Sequence, residues 1–441
     1  MFYHFITNKT NNELNDVCQG ITTDSRLVKK GDIFIALKGK KTNGNLFIDS
    51  AINNGAGMVI CDRIEYSKDL KNIVKVESSK NYLQEIAFEW REKFDIPFLG
   101  ITGSNGKTTT KELLYHILSK KYNCMKSKGN INSTVGVPLS LFGLSRKNQL
   151  SIIEIGASHP GEIAFITKTI KPQYALITNI SMAHIKNYTN ISELLKNKLS
   201  IFKYMDKGGT AFINNDIVGI DKTKIKTKYK TYGFNEKSDY KGSIQSNSLN
   251  EIKLIINNKK NINVPYSSTV LAKNLLAVYT ICQSLKIPDN IFLSRIKTFS
   301  IPDGRGNVVN CKDFSYVNDS YNANYESFVE GLRNFEINYK NFKKKFLLIG
   351  DMLELGKKTE DAHIKLGKMI GNYNYDAVFG YGKHIEKTIV NINNKKTLAI
   401  YSNDIDEIVF NVKKKLDRES ILYIKASRGI KIEEIIKRVK N

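Results

Sequence analysis

Short runs of consecutive apolar residues recur along the chain and alternate with stretches whose apolar positions repeat at helical spacing. Uninterrupted runs of this length are typical of parallel strands that are covered on both faces. In the first half of the chain the clearest runs are residues 31–39 (GDIFIALKG), 97–101 (PFLGI), 151–156 (SIIEIG), 174–180 (YALITNI) and 209–215 (GTAFINN). This alternation predicts an α/β fold with mostly parallel sheets.

The same pattern divides the chain into three consecutive α/β domains. We predict an opening domain over residues 1–84 and a central domain over residues 85–300, which ends in a strand-rich stretch and a helix. The turn Ile-Pro-Asp-Gly near residue 301 marks the start of a third domain, residues 301–441, in which apolar runs resume as KFLLIGDM, DAVFGYG, TLAIYS and ILYIKAS. A length of 441 residues agrees with this division, because single cores rarely exceed ~300 residues.

Composition adds one conspicuous feature, a formal net charge of +25. That charge raises the alternative of a nucleic-acid-binding protein. However, the basic residues are dispersed, no recognisable nucleic-acid-binding motif accompanies them, and a positive field suits polyanionic small molecules equally well. The five scattered cysteines form no CxxC pair, and we find neither a secretory signal nor an apolar run of membrane-spanning length. We therefore expect a cytoplasmic protein without disulfides, membrane insertion or a nucleic-acid partner.

Residues 100–110 (GITGSNGKTTT) form the sharpest local motif, between a predicted strand and a helix predicted over residues 107–122. Glycines let the backbone curl so that successive N–H groups face phosphate oxygens, and the following helix adds its N-terminal dipole. The form is TGxxGKT, because Ile101 occupies the first glycine position of the strict P-loop pattern. We predict a P-loop-type ATPase domain. Its ATP-binding residues are Thr102, Gly103, Ser104, Asn105, Gly106, Lys107, Thr108 and Thr109.

This loop and several further motifs resemble those of the Mur ligases, which build the peptidoglycan stem peptide. The other motifs are Asp24-Ser25-Arg26 with GDIFIALKG, GNINSTVGVPLSL (129–141), EIGASHPGEI (154–163), TNISMAHI (178–185), NDSYNANYES (318–327), GDMLELG (350–356) and SRG (427–429). They extend along nearly the whole chain. The segments DSYNAN and GDMLELG are most similar to those of the family member that adds the terminal dipeptide.

The resemblance implies an ATP-dependent acid–amino-acid ligase of cell-wall synthesis. Such an enzyme joins D-alanyl-D-alanine to UDP-N-acetylmuramoyl-tripeptide through an acyl phosphate. It implies a first domain that binds the UDP-sugar, a central ATP-binding domain and a Rossmann-like third domain. We expect a monomer whose partners are these small-molecule substrates.

The resemblance also implies a site with two Mg²⁺ ions. Glu154 ends a predicted strand and His184 follows the next one, so both belong to the carboxyl edge where α/β proteins bind ligands. Together with the Thr108 hydroxyl they are candidate metal ligands. Lys198, fourteen residues after His184, matches a lysine that the family carbamylates into an oxygen ligand. Lys107, His184 and Lys198 are the candidate catalytic residues.

The remaining candidates would bind substrates. For ATP, the resemblance assigns Asn274 to the base, Asp319 to the ribose and Arg305 to the phosphates. Arg305 and Asp319 belong to the predicted third domain and would act only when it closes on the central one. Further substrate candidates are Ser25 and Arg26 for the uridine diphosphate, Asn130 and Asn132 for the sugar or peptide, and Asn322 and Asn324 for the dipeptide.

Some positions depart from the family pattern and keep alternatives open. The family has His, Asn and Pro where this chain has Lys273, Ala277 and Tyr325. These departures motivate a non-catalytic nucleotide binder as one alternative. A sibling ligase that adds a single amino acid is another, and a nucleotide-dependent nucleic-acid-binding protein is the third.

Overall fold

Three β-sheets, each flanked by helices, follow one another along the chain. The computed structural model describes residues 2–10, 20–39, 42–63, 72–129, 131–181, 187–248, 251–265 and 268–440. Most strand pairs in the described residues are parallel, and the exceptions are two pairs at one edge of the central sheet and one pair in the third sheet, so the predicted α/β class with three sheet-based domains is confirmed. Within the described ranges, no helix has the length and apolar character needed to cross a membrane.

The first sheet has four parallel strands in the order β1-β2-β3-β4. Its strands are β1 (Ile21–Thr22), β2 (Ile33–Ile35), β3 (Met58–Cys61) and β4 (Ile73–Lys75), and the nearby helices are α1 (Phe2–Thr10), α2 (Ile48–Asn53) and α3 (Ser79–Glu92). The motif GDIFIALKG supplies β2, whose three residues are all buried.

Helix α3 joins the first sheet to the central one. Its Leu83 and Ile86 pack in the core of the first sheet, whereas Ala87 and Trp90 pack in the core of the central sheet. The predicted limit between residues 84 and 85 therefore falls inside α3. The sequence did not predict helix α1, which packs through Phe2 with its ring centroid 4.9 Å from that of Trp90.

The central sheet has nine strands in the order β13-β12-β11-β10-β9-β8-β5-β7-β6. They are β5 (Phe98–Thr102), β6 (Cys124–Lys126), β7 (Leu150–Glu154), β8 (Tyr174–Ile177), β9 (Thr210–Asn214), β10 (Lys228–Gly233), β11 (Tyr240–Ser248), β12 (Glu251–Ile256) and β13 (Lys260–Asn263). The helices are α4 (Lys107–Leu118), α5 (Gly136–Leu141), α6 (Glu162–Ile170), α7 (Ile191–Lys203), α8 (Thr269–Ser284) and α9 (Asp289–Lys297).

The topology of the central sheet explains where ligands can bind. Strand β5 lies between β7 and β8, both parallel to it, and Ile101 pairs with Glu154 while Thr102 pairs with Ile177. The carboxyl ends of these three strands therefore meet at one edge, directly before the phosphate loop. In α/β proteins this edge is the usual ligand-binding position.

The third sheet has six strands in the order β14-β15-β19-β16-β17-β18, and only the β14–β15 pair is antiparallel. The strands are β14 (Asn307–Asn310), β15 (Ser315–Asn318), β16 (Lys344–Gly350), β17 (Ala377–Tyr381), β18 (Leu398–Ser402) and β19 (Ser420–Lys425). The helices are α10 (Tyr325–Asn338), α11 (Thr359–Ile370), α12 (Glu386–Ile389), α13 (Ile405–Lys415) and α14 (Glu433–Lys440). The register pairs Asn318 with Ile424, which brings the DSYNAN segment beside the end of β19.

Candidate active site

A cavity of about 790 Å³ lies where the central sheet edge faces the third sheet. Most of the residues singled out in the sequence line it. These residues are Gly103, Ser104, Asn105, Gly106, Lys107, Thr108, Thr109, Asn132, Glu154, Lys198, Asn274, Arg305, Asp319, Asn322 and Asn324. Thr102 is buried at the end of β5 and is not part of the lining, and Asn130 and His184 lie outside the described residues.

The phosphate loop is curled and closely packed. Gly106 has φ +80° and precedes α4, and a Cβ on it would lie 2.6 Å from Asn274 Oδ1. A Cβ on Gly103 would lie 1.9 Å from Thr178 Oγ1. Only glycine fits at these two positions, and the first-turn N–H groups of α4 have no acceptor within the helix. The loop therefore has the form of an anion cradle at a helix N-terminus.

Side chains that follow β8 hold this loop in place. The Thr178 hydroxyl donates to the Asn105 carbonyl at 2.6 Å, and the Asn105 amide donates to Asn179 Oδ1 at 2.8 Å. The Ser181 backbone N–H donates to Ser104 Oγ at 2.9 Å. Sequence reasoning did not single out Thr178, Asn179 or Ser181. Their position directly after a strand at the ligand-binding edge was the available signal.

The buried Lys198 and the partly buried Lys107 meet at one carbonyl oxygen of the loop. Lys107 Nζ donates to the Gly103 oxygen at 2.9 Å, and Lys198 Nζ donates to the same oxygen at 3.1 Å. Burial lowers the pKa of Lys107 to about 8. Burial, together with the nearby charge of Lys107, lowers the pKa of Lys198 to about 7. The Lys198 amine is therefore neutral in a large fraction of molecules near pH 7.

Glu154 ends β7 as a buried carboxylate with one saturated oxygen. Oε1 accepts from the Thr108 hydroxyl at 3.2 Å and from Asn132 Nδ2 at 2.8 Å. Oε2 has no hydrogen-bond partner, although Lys111 Nζ lies 3.5 Å away. An unsatisfied buried carboxylate oxygen beside a hydroxyl suits a hard cation. Among the described residues, no three or more His, Cys, Asp or Glu side chains form a group that could hold a metal.

The third domain supplies residues that reach the phosphate loop: Arg305 precedes β14, and Asn324 caps α10. Arg305 Nη2 donates to Thr108 Oγ1 at 3.0 Å, and its guanidinium stacks 3.6 Å above the ring centroid of Tyr321. Burial lowers the pKa of Arg305. Asn324 Nδ2 donates to Asn105 Oδ1 at 2.8 Å. The loop is thus closed over by residues that are about 200 positions away in sequence.

Matches to family models cover most of the chain. Residues 17–91 match the Mur ligase family catalytic domain, residues 101–282 the Mur ligase middle domain, and residues 304–428 the Mur ligase glutamate ligase domain. The UDP-N-acetylmuramoyl-tripeptide–D-alanyl-D-alanine ligase of Rickettsia prowazekii is 30% identical over 428 residues, which are 95% of this chain and 94% of the relative. The chain belongs to the Mur ligase family.

Other Mur ligases agree with this membership. The ligase of the same name from Bacillus subtilis is 28% identical, over 96% of this chain and 93% of its own. The crystal structure of MurF ligase from Thermotoga maritima in complex with ADP has a TM-score of 0.82 and 27% identity, covering 96% of this chain and 97% of that one. MurF from Acinetobacter baumannii has a TM-score of 0.86 at 22% identity, with 99% and 98% covered, which supports the fold.

In this Mur ligase, helix α8 lines the cavity opposite α10. Asn274 lies in the second turn of α8 and is buried, and its Nδ2 has no hydrogen-bond partner. Lys273 Nζ lies 2.9 Å from Glu330 Oε1, and Asn334 Oδ1 accepts from Thr269 N and Oγ1 at 3.1 and 2.9 Å. Ala277 is buried in the core of the central sheet. Sequence reasoning missed Glu330 and Asn334 because their position in the cleft depends on the packing of α10.

The DSYNAN segment of this Mur ligase is fixed by local and long-range bonds. Asp319 Oδ2 accepts from Tyr423 Oη and Lys425 Nζ, both at 2.7 Å. Asn322 Oδ1 accepts from the Ala323 amide at 2.9 Å, and Asn324 caps α10 in a capping box with Ser327. The Asn322 and Asn324 side chains therefore have structural contacts in addition to lining the cavity. Tyr423 and Lys425 were not singled out in the sequence.

The UDP-sugar candidates lie apart from this cavity. Ser25 is buried, and Arg26 is exposed and forms a 2.6 Å ion pair with Asp24. Neither belongs to the cavity lining.

In the third domain, Asp351 of the GDMLELG motif has a structural contact. Its Oδ1 accepts from the amides of His384 and Ile385, which anchors the chain before α12.

Proposed function

We propose that the protein joins D-alanyl-D-alanine to UDP-N-acetylmuramoyl-tripeptide at the expense of ATP. The observation that carries this proposal is the convergence of the phosphate loop and the DSYNAN segment on one cavity. The relatives compared above match this chain over nearly their full lengths, and their names support the same reaction. They do not favour a nucleic-acid-binding protein or a ligase that adds a single amino acid. Cytoplasmic precursor synthesis by a monomer completes the proposal.

The loop residues would hold the ATP phosphates. Lys107 neutralises phosphate charge, while the N–H groups of the loop and of the first turn of α4 donate to the phosphate oxygens. Arg305 adds a second cation from the third domain, where it already contacts Thr108 at 3.0 Å. Asn274 is assigned to the base, because its buried amide nitrogen lacks a partner. Asp319 is assigned to the ribose.

The protein then activates an acid for attack by an amine. Transfer of the γ-phosphoryl group to the tripeptide carboxylate gives an acyl phosphate, whose phosphate is a good leaving group. The free amine of the dipeptide attacks the acyl carbon, the new C–N bond forms as the bond between the acyl carbon and the phosphate oxygen breaks, and the nitrogen loses one proton. ADP and phosphate are the other products. The third domain excludes water from the acyl phosphate, which would otherwise be hydrolysed. Asn322 and Asn324 would orient the dipeptide, and Asn132 would orient the peptide end of the sugar substrate.

Thr108 and Glu154 would hold Mg²⁺, since Glu154 Oε2 is buried without a hydrogen-bond partner. Bound magnesium would neutralise charge on the transferring phosphoryl group. His184 remains a proposed ligand from outside the described residues. Ser25 and Arg26 would bind the uridine diphosphate in the first domain. Asn130 of the central domain would bind the sugar or peptide.

Lys198 is proposed to be carbamylated. A neutral amine can attack CO₂, forming an N–C bond and releasing one proton, and the carbamate then supplies anionic oxygens for a metal. The pKa of about 7 supports this step, because a charged ammonium has no lone pair for the attack. The ammonium of Lys107 bonds to the same carbonyl as Lys198 and would balance the new negative charge.

Phosphate release from ATP tests the ligase reaction. We expect release to require UDP-N-acetylmuramoyl-tripeptide, D-alanyl-D-alanine and Mg²⁺ together, with a matching amount of ligated product. Equal release without the dipeptide would contradict the proposal.

Variants at Lys198 test the carbamate separately. Lys198→Ala is expected to lose at least ~100-fold in kcat, the scale of removing a group that stabilises transition-state charge, and bicarbonate should not restore it. Lys196→Ala is the matched control, because Lys196 is exposed on the same helix. An active Lys198→Ala enzyme would exclude the carbamate while leaving the ligase reaction intact.

A further inference from the structure

One buried lysine at the end of β19 contacts two residues of the DSYNAN segment, Asp319 and Asn322. Lys425 is 2% exposed, and its Nζ lies 2.7 Å from Asp319 Oδ2 and 3.1 Å from the Asn322 carbonyl oxygen. Asp319 is the proposed ribose ligand, and Asn322 is a proposed dipeptide contact. We propose that Lys425 is a positioning residue that couples the nucleotide contact to the acceptor contact. This inference rests on the proposed function.

The contacts of Asp319 show how Lys425 would act on the nucleotide. Lys425 and Tyr423 both donate to Oδ2, so the carboxylate is held by two donors at one oxygen. Oδ1 is then the oxygen to which a ribose hydroxyl would donate. Bonds of an ammonium and a phenol to one carboxylate oxygen fix the side-chain rotamer, which lowers the entropy lost on binding. Lys425, Tyr423 and Asp319 all line the cavity.

The contact with Asn322 extends the same control to the acceptor segment. The Asn322 carbonyl accepts from Lys425, and the next carbonyl, that of Ala323, accepts from Ser427 Oγ at 3.2 Å. The end of β19 and the residues after it therefore hold the backbone of the DSYNAN segment. A buried ammonium is strongly destabilised when it loses one of its acceptors. The Lys425 ammonium should therefore keep both contacts, so that a shift of Asp319 is accompanied by a shift of Asn322.

Tyr423 offers a way to separate the two effects. Its hydroxyl donates to Asp319 and, among the hydrogen bonds of the described residues, to neither Asn322 nor Asn324. Removing this hydroxyl should therefore disturb only the nucleotide contact. Removing the Lys425 ammonium should disturb both contacts.

The experiment compares Lys425→Met and Tyr423→Phe in the full-length protein. Calorimetry gives the Kd for MgADP, and steady-state kinetics give kcat and the KM for D-alanyl-D-alanine. For Lys425→Met we expect the Kd for MgADP and the KM for D-alanyl-D-alanine each to rise about tenfold or more, the scale of losing a charged hydrogen bond. For Tyr423→Phe we expect the Kd to rise about threefold and the dipeptide KM to stay within about twofold of the wild type. Lys425→Arg, which keeps the charge, should recover part of both losses.

Lys345→Met is the matched control for losing a largely buried lysine. Lys345 lies in β16 of the same sheet, its Nζ pairs with Glu336 of α10 at 2.6 Å, and Lys345 is not part of the cavity lining. This variant should lower the melting temperature and leave both constants unchanged. Lys425→Met with a lower melting temperature and two wild-type constants would overturn the inference.

A second variant covers the case in which Lys425→Met does not fold. Asp319→Asn weakens the attraction for Lys425 without removing it, and coupling predicts a higher dipeptide KM as well as weaker MgADP binding. An Asp319→Asn enzyme with a wild-type dipeptide KM would overturn the coupling. If the wild type shows no dipeptide-dependent turnover, the proposed function fails. The MgADP affinities of Lys425→Met and Tyr423→Phe then still decide whether Lys425 positions Asp319.

Discussion

Burial of the Lys198 amine makes its protonation depend on folding. Its pKa falls from 10.5 to about 7 in the folded chain, chiefly through burial. Between these values the unfolded chain binds more protons than the folded chain. The contribution of this group to stability therefore increases as the pH rises from about 7 towards 10.5.

Lys198→Met should remove this dependence. We expect the free energy of unfolding of the wild type to gain up to about 1.4 kcal/mol per pH unit relative to the variant over this window. Chemical unfolding between pH 7 and 9.5 in degassed buffer measures the difference. Lys196→Met, at an exposed position on the same helix, should follow the wild type. Parallel pH curves for the wild type and Lys198→Met would refute the expectation.

Local chain order predicted part of the site, and the resemblance to Mur ligases supplied distant residues of the cavity such as Arg305 and Asn324. Lys107 and Thr108 belong to a motif, and Glu154 ends a strand, so their meeting follows from parallel strands that share an edge. Asn179, Tyr423 and Lys425 were missed because their roles depend on which strands are neighbours and on side-chain partners far away in sequence. Periodicity alone carries no such information.

At the scale of elements, the buried central strands were predicted from their apolar runs. The runs in β5, β7, β8 and β19 are continuously apolar because both faces of each strand are buried. Helix α1 was missed since its nine residues carry only a few apolar positions, and its partners Trp90 and Phe142 lie far away in sequence. The face that α10 turns to the cleft also depends on tertiary packing.

The junction between the loop and α4 gives a prediction for Gly106→Ala. The substitution meets a left-handed backbone, φ +80°, and places a Cβ 2.6 Å from Asn274 Oδ1. Gly161→Ala is a matched control, because Gly161 also precedes a helix with φ +87° and has no atom within 4 Å of the added Cβ. Gly161→Ala should lose about 1–2 kcal/mol of stability because of its left-handed backbone, and Gly106→Ala should lose more because of the added close contact. Only Gly106→Ala should weaken MgADP binding, by tenfold or more in calorimetry, and equal affinities would contradict the steric argument.

At the scale of the whole molecule, the sequence predicted three sheets but not how they meet. Helices α8 and α10 make polar contacts across the cleft, through Lys273 with Glu330 and Thr269 with Asn334. We call these four residues the α8–α10 latch. A latch of this kind favours the closed arrangement in which Arg305 reaches Thr108.

Charge exchange tests the latch. The side chains of Lys273 and Glu330 are 50% and 29% exposed, and such pairs contribute about 0.2–1 kcal/mol. Lys273→Glu should therefore weaken MgADP binding about twofold to fivefold, and adding Glu330→Lys should restore most of the affinity because the attraction returns with reversed signs. The difference in MgADP affinity between the wild type and Lys273→Glu should shrink in 0.5 M salt, because salt screens partly exposed charges.

A second ion pair shows whether the effect is specific to the cleft. Lys260 and Asp289 form a 2.7 Å pair within the central domain, with side chains 27% and 42% exposed. Lys260→Glu changes the net charge by the same amount as Lys273→Glu, so general repulsion or attraction of the nucleotide affects both variants. It should leave the MgADP affinity within about twofold of the wild type. If the double exchange binds no better than Lys273→Glu, the pair does not hold the third domain closed, and closure depends on the Arg305 and Asn324 contacts with the loop.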